Sequence, residues 1–202
     1  MKKYLPLLLF LLLTLPGFAQ KSATAYFISG NTKFKAGQFA EAIKDYDAVL
    51  KRNPKHVVTL TNRGVAQDRL LQYRAAIADF TKAIALAPDY AEAYLSRGFS
   101  RYNLKDYRSA LLDYNKGIAL APENAKAYNN RGLAYYGLKD FSGAVADYTK
   151  AIALNSTYGA AYYNRAAARY RLGDTKGACA DWTKAKALGI KDAAVSLKNY
   201  CK

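Results

Sequence analysis

Histidine is almost absent from this chain, cysteine occurs twice, and no strongly apolar stretch follows the first twenty residues. The single histidine, His56, has no second histidine and no cysteine cluster beside it, so no metal site is expected, and its place next to Pro54 suggests a solvated loop. Cys179 and Cys201 are too far apart for a C-x-x-C redox or zinc motif. There is no glycine-rich phosphate loop and no nucleophile elbow, so an enzyme is the weakest functional class and no cofactor is expected. Without a second apolar stretch, no segment beyond the N-terminus is expected to cross a membrane.

Acidic residues are also scarce. Fifteen Asp and Glu face thirty-one Lys and Arg, for a net charge of +16. Such a balance favours anionic partners, which for an exported chain are acidic proteins, lipid head groups or envelope polymers ahead of nucleic acid.

Export is read from the N-terminus. Lys2 and Lys3 precede an apolar run over residues 4–15, and Gly17 and Ala19 are placed as small residues before a cleavage point. Residues 1–19 are therefore expected to be a signal peptide and 20–22 a short linker, with an uncleaved anchor as the other reading. Cleavage removes two lysines and lowers the charge from +16 to +14. No cysteine follows the run until Cys179, so a lipid anchor is not expected, and the mature protein is placed in the periplasm or outside the cell.

The whole chain has 51% hydrophobic and 23% charged residues, a folded composition, and beyond the N-terminal segment it is arranged in a plain internal repeat. Gly30, Gly64, Gly98 and Gly132 recur every 34 residues, with Ala166 in the fifth place, and Pro54, Pro88 and Pro122 keep the same interval. So do Ala42, Ala76, Ala110, Ala144 and Ala178. Tyr46, Phe80, Tyr114, Tyr148 and Trp182 hold one bulky register, and Tyr26, Leu60, Tyr94, Tyr128 and Tyr162 another. Five copies follow, at 23–56, 57–90, 91–124, 125–158 and 159–192, with a tail over 193–202.

Each copy reads as two amphipathic helices, for example 91–104 and 107–120, closed by the alanine and proline at 121 and 122. An antiparallel hairpin brings Gly98 opposite Ala110 and Tyr94 level with Tyr114. Arg63, Arg97, Arg131 and Arg165 are matched about each turn with Asp79, Asp113, Asp147 and Asp181, so an ion-pair ladder is expected. Most of the eighteen tyrosines also fall on packing positions. One hairpin cannot bury its apolar face alone, so the copies must stack. Ala194, Val195, Leu197 and Tyr200 in the tail suit a short helix that caps the last copy.

A 34-residue helical hairpin with these residues in this phase resembles the tetratricopeptide repeat. Ser156 and Ile190 depart from the pattern in place of proline, and Ser29 in place of arginine. The resemblance implies an all-α, right-handed superhelical α-solenoid of five repeats plus a C-terminal capping helix. It also implies a concave face lined by the first helix of each repeat. Mapped here, that face carries the asparagines Asn31, Asn62, Asn130 and Asn164, the rings of Phe34, Phe99, Tyr102, Tyr136 and Tyr170, and the cations Arg69, Lys126 and Arg171. Phe27, Lys35, Leu95, Asn129 and Tyr163 border them. Aromatic surface with a basic edge suits an extended peptide or another acidic ligand, while packing between helices is the other reading of the same rings.

Some family members clamp an acidic C-terminus. Phe27, Glu92 and Ser96 stand where that clamp wants basic side chains, so this function does not carry over. The row Asn62, Asn130 and Asn164 is similar to the asparagine ladder of the O-linked N-acetylglucosamine transferase repeats, which grips a peptide backbone, although Ser96 interrupts it. The resulting expectation is a non-catalytic adaptor of the cell envelope that binds a polypeptide, with an anionic polymer or lipid surface as the alternative ligand. Cys179 and Cys201 are each eleven residues from Ile190, so antiparallel packing would set them level for a disulfide in an oxidising compartment. The alternative is a buried Cys179 beside a frayed Cys201.

Overall fold

A computed structural model of the protein describes residues 22–201. The expected signal peptide at 1–19 lies outside the described residues. Eleven helices make up the described chain, with no strand among the described residues. They pair as hairpins α1 (Ala23–Lys35) with α2 (Phe39–Arg52), α3 (Val57–Arg69) with α4 (Tyr73–Leu86), and α5 (Ala91–Asn103) with α6 (Tyr107–Leu120). Then come α7 (Ala125–Gly137) with α8 (Phe141–Leu154) and α9 (Gly159–Arg171) with α10 (Thr175–Ala187), followed by the single helix α11 (Asp192–Tyr200).

The turns explain the boundaries. Each hairpin reverses through one residue in left-handed conformation, at Gly37, Leu71, Lys105, Lys139 and Gly173. The amide one residue later donates to a carbonyl five residues back, as from Asp106 N to Arg101 O at 2.9 Å, closing the first helix in a Schellman-type cap. Asp106, Asp140 and Asp174 then cap the second helix through their side chains. The second helices of the first three hairpins stop just ahead of Pro54, Pro88 and Pro122, because a residue before proline is forced out of helical geometry. Asn155 keeps an extended backbone (φ −144°, ψ 96°) although Ser156 replaces the proline, and its side chain accepts from both Thr157 N and Thr157 Oγ1.

Packing follows the register. The rings of Tyr46, Phe80, Tyr114 and Tyr148 are buried against Gly30, Gly64, Gly98 and Gly132. A Cβ at any of these glycines would sit 2.6 to 2.9 Å from the ring, so the close approach requires glycine. Helices pack in chain order, and the first helices of successive hairpins also touch one another while the second helices make no comparable contact. The stack therefore curves with α1, α3, α5, α7 and α9 on its inner side, as an α-solenoid.

The expected ion-pair ladder forms. Arg63, Arg97, Arg131 and Arg165 each hold the aspartate of their own hairpin through two guanidinium nitrogens. Their remaining nitrogen reaches back to Asp47, Thr81, Asn115 and Thr149 of the preceding hairpin. One cation thus ties two repeats. In the first hairpin Ser29 cannot do this, and Lys33, one turn later, takes Asp45 instead at 2.6 Å.

Two local expectations need correction. His56 is not a solvated loop residue: it caps α3, with Nδ1 3.2 Å from the Thr59 amide and 2.7 Å from Thr59 Oγ1, and its ring meets the edge of Phe27. The tail helix does not face inward through Ala194 and Val195, which are exposed. Because α11 starts at Asp192, the helical period aims Ala193, Ser196 and Leu197 at the last hairpin instead. Cys179 on α10 and Cys201 after α11 are joined as a disulfide, their Cα atoms 5.8 Å apart.

Candidate functional site

Among the described residues no cluster of histidine, cysteine and carboxylates is placed to hold a metal, and no helix is long and apolar enough to cross a membrane. The feature that stands out is a cleft of about 590 Å³ on the inner face of α3, α5 and α7. Its apolar and aromatic walls come from Val65, Leu71, Tyr73, Leu95 and Phe99. Arg69, Glu92, Ser96, Lys126 and Asn130 supply polar groups around it, and Asp68 lines it as well.

The origin of the cleft is a break in the repeat. Phe34, Tyr102, Tyr136 and Tyr170 occupy the twelfth place of their copies, and three of them lean on the first residue of the following helix. Phe34 meets Phe39 at 5.3 Å between ring centroids, Tyr102 meets Tyr107 at 5.5 Å, and Tyr136 meets Phe141 at 5.1 Å. In the second copy that place is Asp68, and Tyr73 has no ring to lean on. A small side chain where a ring belongs leaves space.

Asp68 is 8% exposed and takes a hydrogen bond of 2.7 Å from Ser100 Oγ. Burial raises its carboxyl from the ordinary value to about 6, against the opposing effects of the Ser100 hydrogen bond and the nearby Arg69 charge. Ser100 is itself a departure, since Ala66, Ala134 and Ala168 hold its place in the neighbouring copies. The buried hydroxyl of Tyr114 finds no hydrogen-bond partner among the described residues, and burial, with smaller contributions from Tyr102, Asp113 and Asp68, pushes its pKa up.

The residues expected on the concave face divide into groups. Arg69, Phe99, Lys126 and Asn130 come together in the cleft, with Leu95 among them. The asparagines are largely bonded to one another: Asn31 Oδ1 accepts from Asn62 Nδ2 at 3.0 Å and from Tyr46 Oη at 2.9 Å. Asn129, which is buried, accepts from Asn164 Nδ2 at 3.0 Å and donates to Asn130. Phe34, Tyr102 and Tyr136 are half-buried within their own hairpins. Tyr170 packs at a tilt against Trp182 and Tyr200 at the C-terminal end, and Arg171 sits over the Phe141 ring. Asp68, Val65 and Leu71 were absent from the expected set. A signal for Asp68 existed, as the one acid in an aromatic register.

Comparison with known proteins agrees with this architecture. Tetratricopeptide-repeat family models match residues 23–56, 58–90 and 125–158, and a TPR repeat model matches 100–139. No curated protein matches the chain. Among solved structures, a MamA protein is 28% identical, with a TM-score of 0.73 over 85% of this chain and 94% of its own. MamA from Desulfovibrio magneticus RS-1 is 25% identical, with a TM-score of 0.76 over 82% of this chain and 94% of its own. A thermophilic TPR protein of Thermus thermophilus, at 21% identity and a TM-score of 0.69 over 88% of this chain and 96% of its own, shares the fold. The matched repeats span more than half of the chain, and the stacked hairpins carry the same 34-residue register, so the chain belongs to the tetratricopeptide-repeat family, whose fold is a scaffold for protein interaction.

Proposed function

We propose that the protein is an adaptor of the cell envelope that binds an extended polypeptide segment along the inner face of α3, α5 and α7. One observation carries this reading: the cleft is walled by apolar side chains, with Phe99 41% exposed, and is rimmed by a few polar groups. Apolar walls supply contact area, and acidic groups of the segment meet Arg69 and Lys126 at the rim. Asn130 is placed to bond its backbone. Placement in the periplasm or outside the cell is supported by the N-terminal pattern of residues 1–19 and by the Cys179–Cys201 pair.

A photo-cross-linking residue at position 99, compared with one at the exposed Leu112 on α6, tests the groove. Cross-links from position 99 alone, mapping to one extended stretch of a polypeptide, are the expected result. Equal labelling from position 112, or none from position 99, overturns the reading.

A second reading is contact with an anionic envelope polymer. Lys82, Lys116, Lys150 and Lys184 favour it: they recur every 34 residues on the exposed side of the second helices, without an ion-pair partner among the described residues. Binding through that row falls steeply as salt rises, whereas binding through the cleft's apolar walls falls little.

A further inference from the structure

Five aspartates are buried on the second helices, Asp45, Asp79, Asp113, Asp147 and Asp181, and each has a lysine or arginine within 2.8 Å. Asp68 is the buried aspartate of a first helix, and no cation among the described residues comes within ion-pair distance of it. Its hydrogen-bond partner is the neutral Ser100 hydroxyl. A carboxylate has room for about four hydrogen bonds, so most of its accepting capacity is unused. A buried carboxylate without a counter-ion is costly to the fold, and alanine or a ring at this place would avoid that cost.

The surroundings specify what would compensate it. Leu71, 71% exposed, and Phe99, 41% exposed, line the cleft together with Val65, whereas Asp68 is 8% exposed, so a side chain reaching the carboxylate has aliphatic and aromatic surface beside it. Glu92 adds a second negative group in the same cleft, whose cations Arg69 and Lys126 form no ion pair with Asp68. An apolar stem ending in a cation is the shape of a lysine or arginine side chain, which buries its methylenes and saves its charge for a carboxylate. Phe99 and Tyr73 place aromatic rings in the lining of the same cleft.

We infer that Asp68, with Ser100 behind it, is the specificity pocket of the groove, and that it takes a lysine or arginine side chain of the bound segment. This rests on the groove reading above, and adds that the acidic segment carries one basic residue at the cleft.

The mature chain can be titrated with acetyl-Ala-Glu-Xaa-Glu-Ala-amide peptides carrying lysine, arginine or norleucine at the centre, following backbone amide shifts of Val65, Ser100 and Phe99 by NMR at neutral pH. The expected result is that the lysine and arginine peptides saturate these shifts at about tenfold lower concentration than the norleucine peptide, roughly what a good charge-assisted contact gives. Asp68→Asn, which keeps the volume and still accepts from Ser100, should erase that preference while the weaker norleucine shifts persist. Equal saturation by all three peptides overturns the pocket and leaves the groove standing, as does a preference that survives in Asp68→Asn. Shifts from no peptide overturn the pocket, and the position 99 cross-links then judge the groove by themselves.

Discussion

Arg63 holds Asp79 in a two-pronged grip, Nε to Oδ2 at 2.7 Å and Nη2 to Oδ1 at 2.6 Å, while its third nitrogen reaches Asp47 on the preceding hairpin. The hydrogen bond to Asp79, with a smaller contribution from Asp47, holds the guanidinium firmly charged against the opposing effect of burial. The contact couples the two interfaces on which a solenoid depends, the hairpin and the stack. A solenoid's stability is close to a sum of such repeat and neighbour contributions.

Arg131 and Asp147 test the ladder most cleanly, because Asp147 has no second cation among the described residues, whereas Asp113 and Asp181 each have one. Arg131→Met alone strands a nearly buried carboxylate and is expected to cost about 3 to 5 kcal/mol. Pairing it with Asp147→Leu should recover most of that loss. Urea unfolding of the two single variants and the double variant gives the coupling directly, and additive effects would mean that the pair contributes no mutual stabilisation.

Gly132→Ala places a methyl 2.6 Å from Tyr148 Cε1, in a ring that is fully buried. An overpacking cost of about 1 to 3 kcal/mol is expected in chemical denaturation. The same substitution combined with Tyr148→Leu should cost less than the sum of the two alone.

Asp68 should make stability depend on pH in an unusual direction. Its carboxyl binds a proton more tightly in the folded state, where the pKa is about 6, than in the unfolded chain. Its contribution therefore favours the fold below about pH 4 and turns against it as pH rises through 6. Asp68→Asn is expected to raise stability at pH 7.5 by ~1 to 2 kcal/mol, allowing for partial solvent screening, and to change it little at pH 4. Thermal melts at the two pH values check this, and an equal effect at both would exclude titration of Asp68 as the cause.

Reduction of the Cys179–Cys201 bond releases α11 from the last hairpin. On the chain-entropy estimate the bond contributes roughly 3 kcal/mol for a loop of this length. Exported protein is expected to resist alkylation until reduced, and to melt at lower temperature with reductant. Two freely alkylated thiols in the untreated protein would exclude the bond.

Tyr136 and Phe99 should behave differently although both lie on first helices of the inner face. Tyr136 packs on Phe141 at 5.1 Å and joins a buried cluster, so Tyr136→Ala is expected to lower the denaturation midpoint clearly. Phe99 is exposed in the cleft, and Phe99→Ala should leave the midpoint nearly unchanged while weakening the peptide-induced amide shifts of Val65 and Ser100.

The 34-residue spacing by itself determined the hairpins and the pairing of arginines with aspartates. All of these join residues matched about one local turn, and helical geometry with a short loop leaves little choice in how they meet. It also brought Cys179 level with Cys201 about the turn at Gly189 and Ile190. Only the tertiary structure decided which inner-face residues remain free. Asn31 pairs with Asn62, and Asn129 with Asn164, across neighbouring repeats, and the cleft at Asp68 draws its walls from three of them. Those contacts depend on the rotation and rise between stacked hairpins. That geometry is set by the summed packing of each hairpin on the next, above all α4 on α5 and α6 on α7, not by any spacing along the chain.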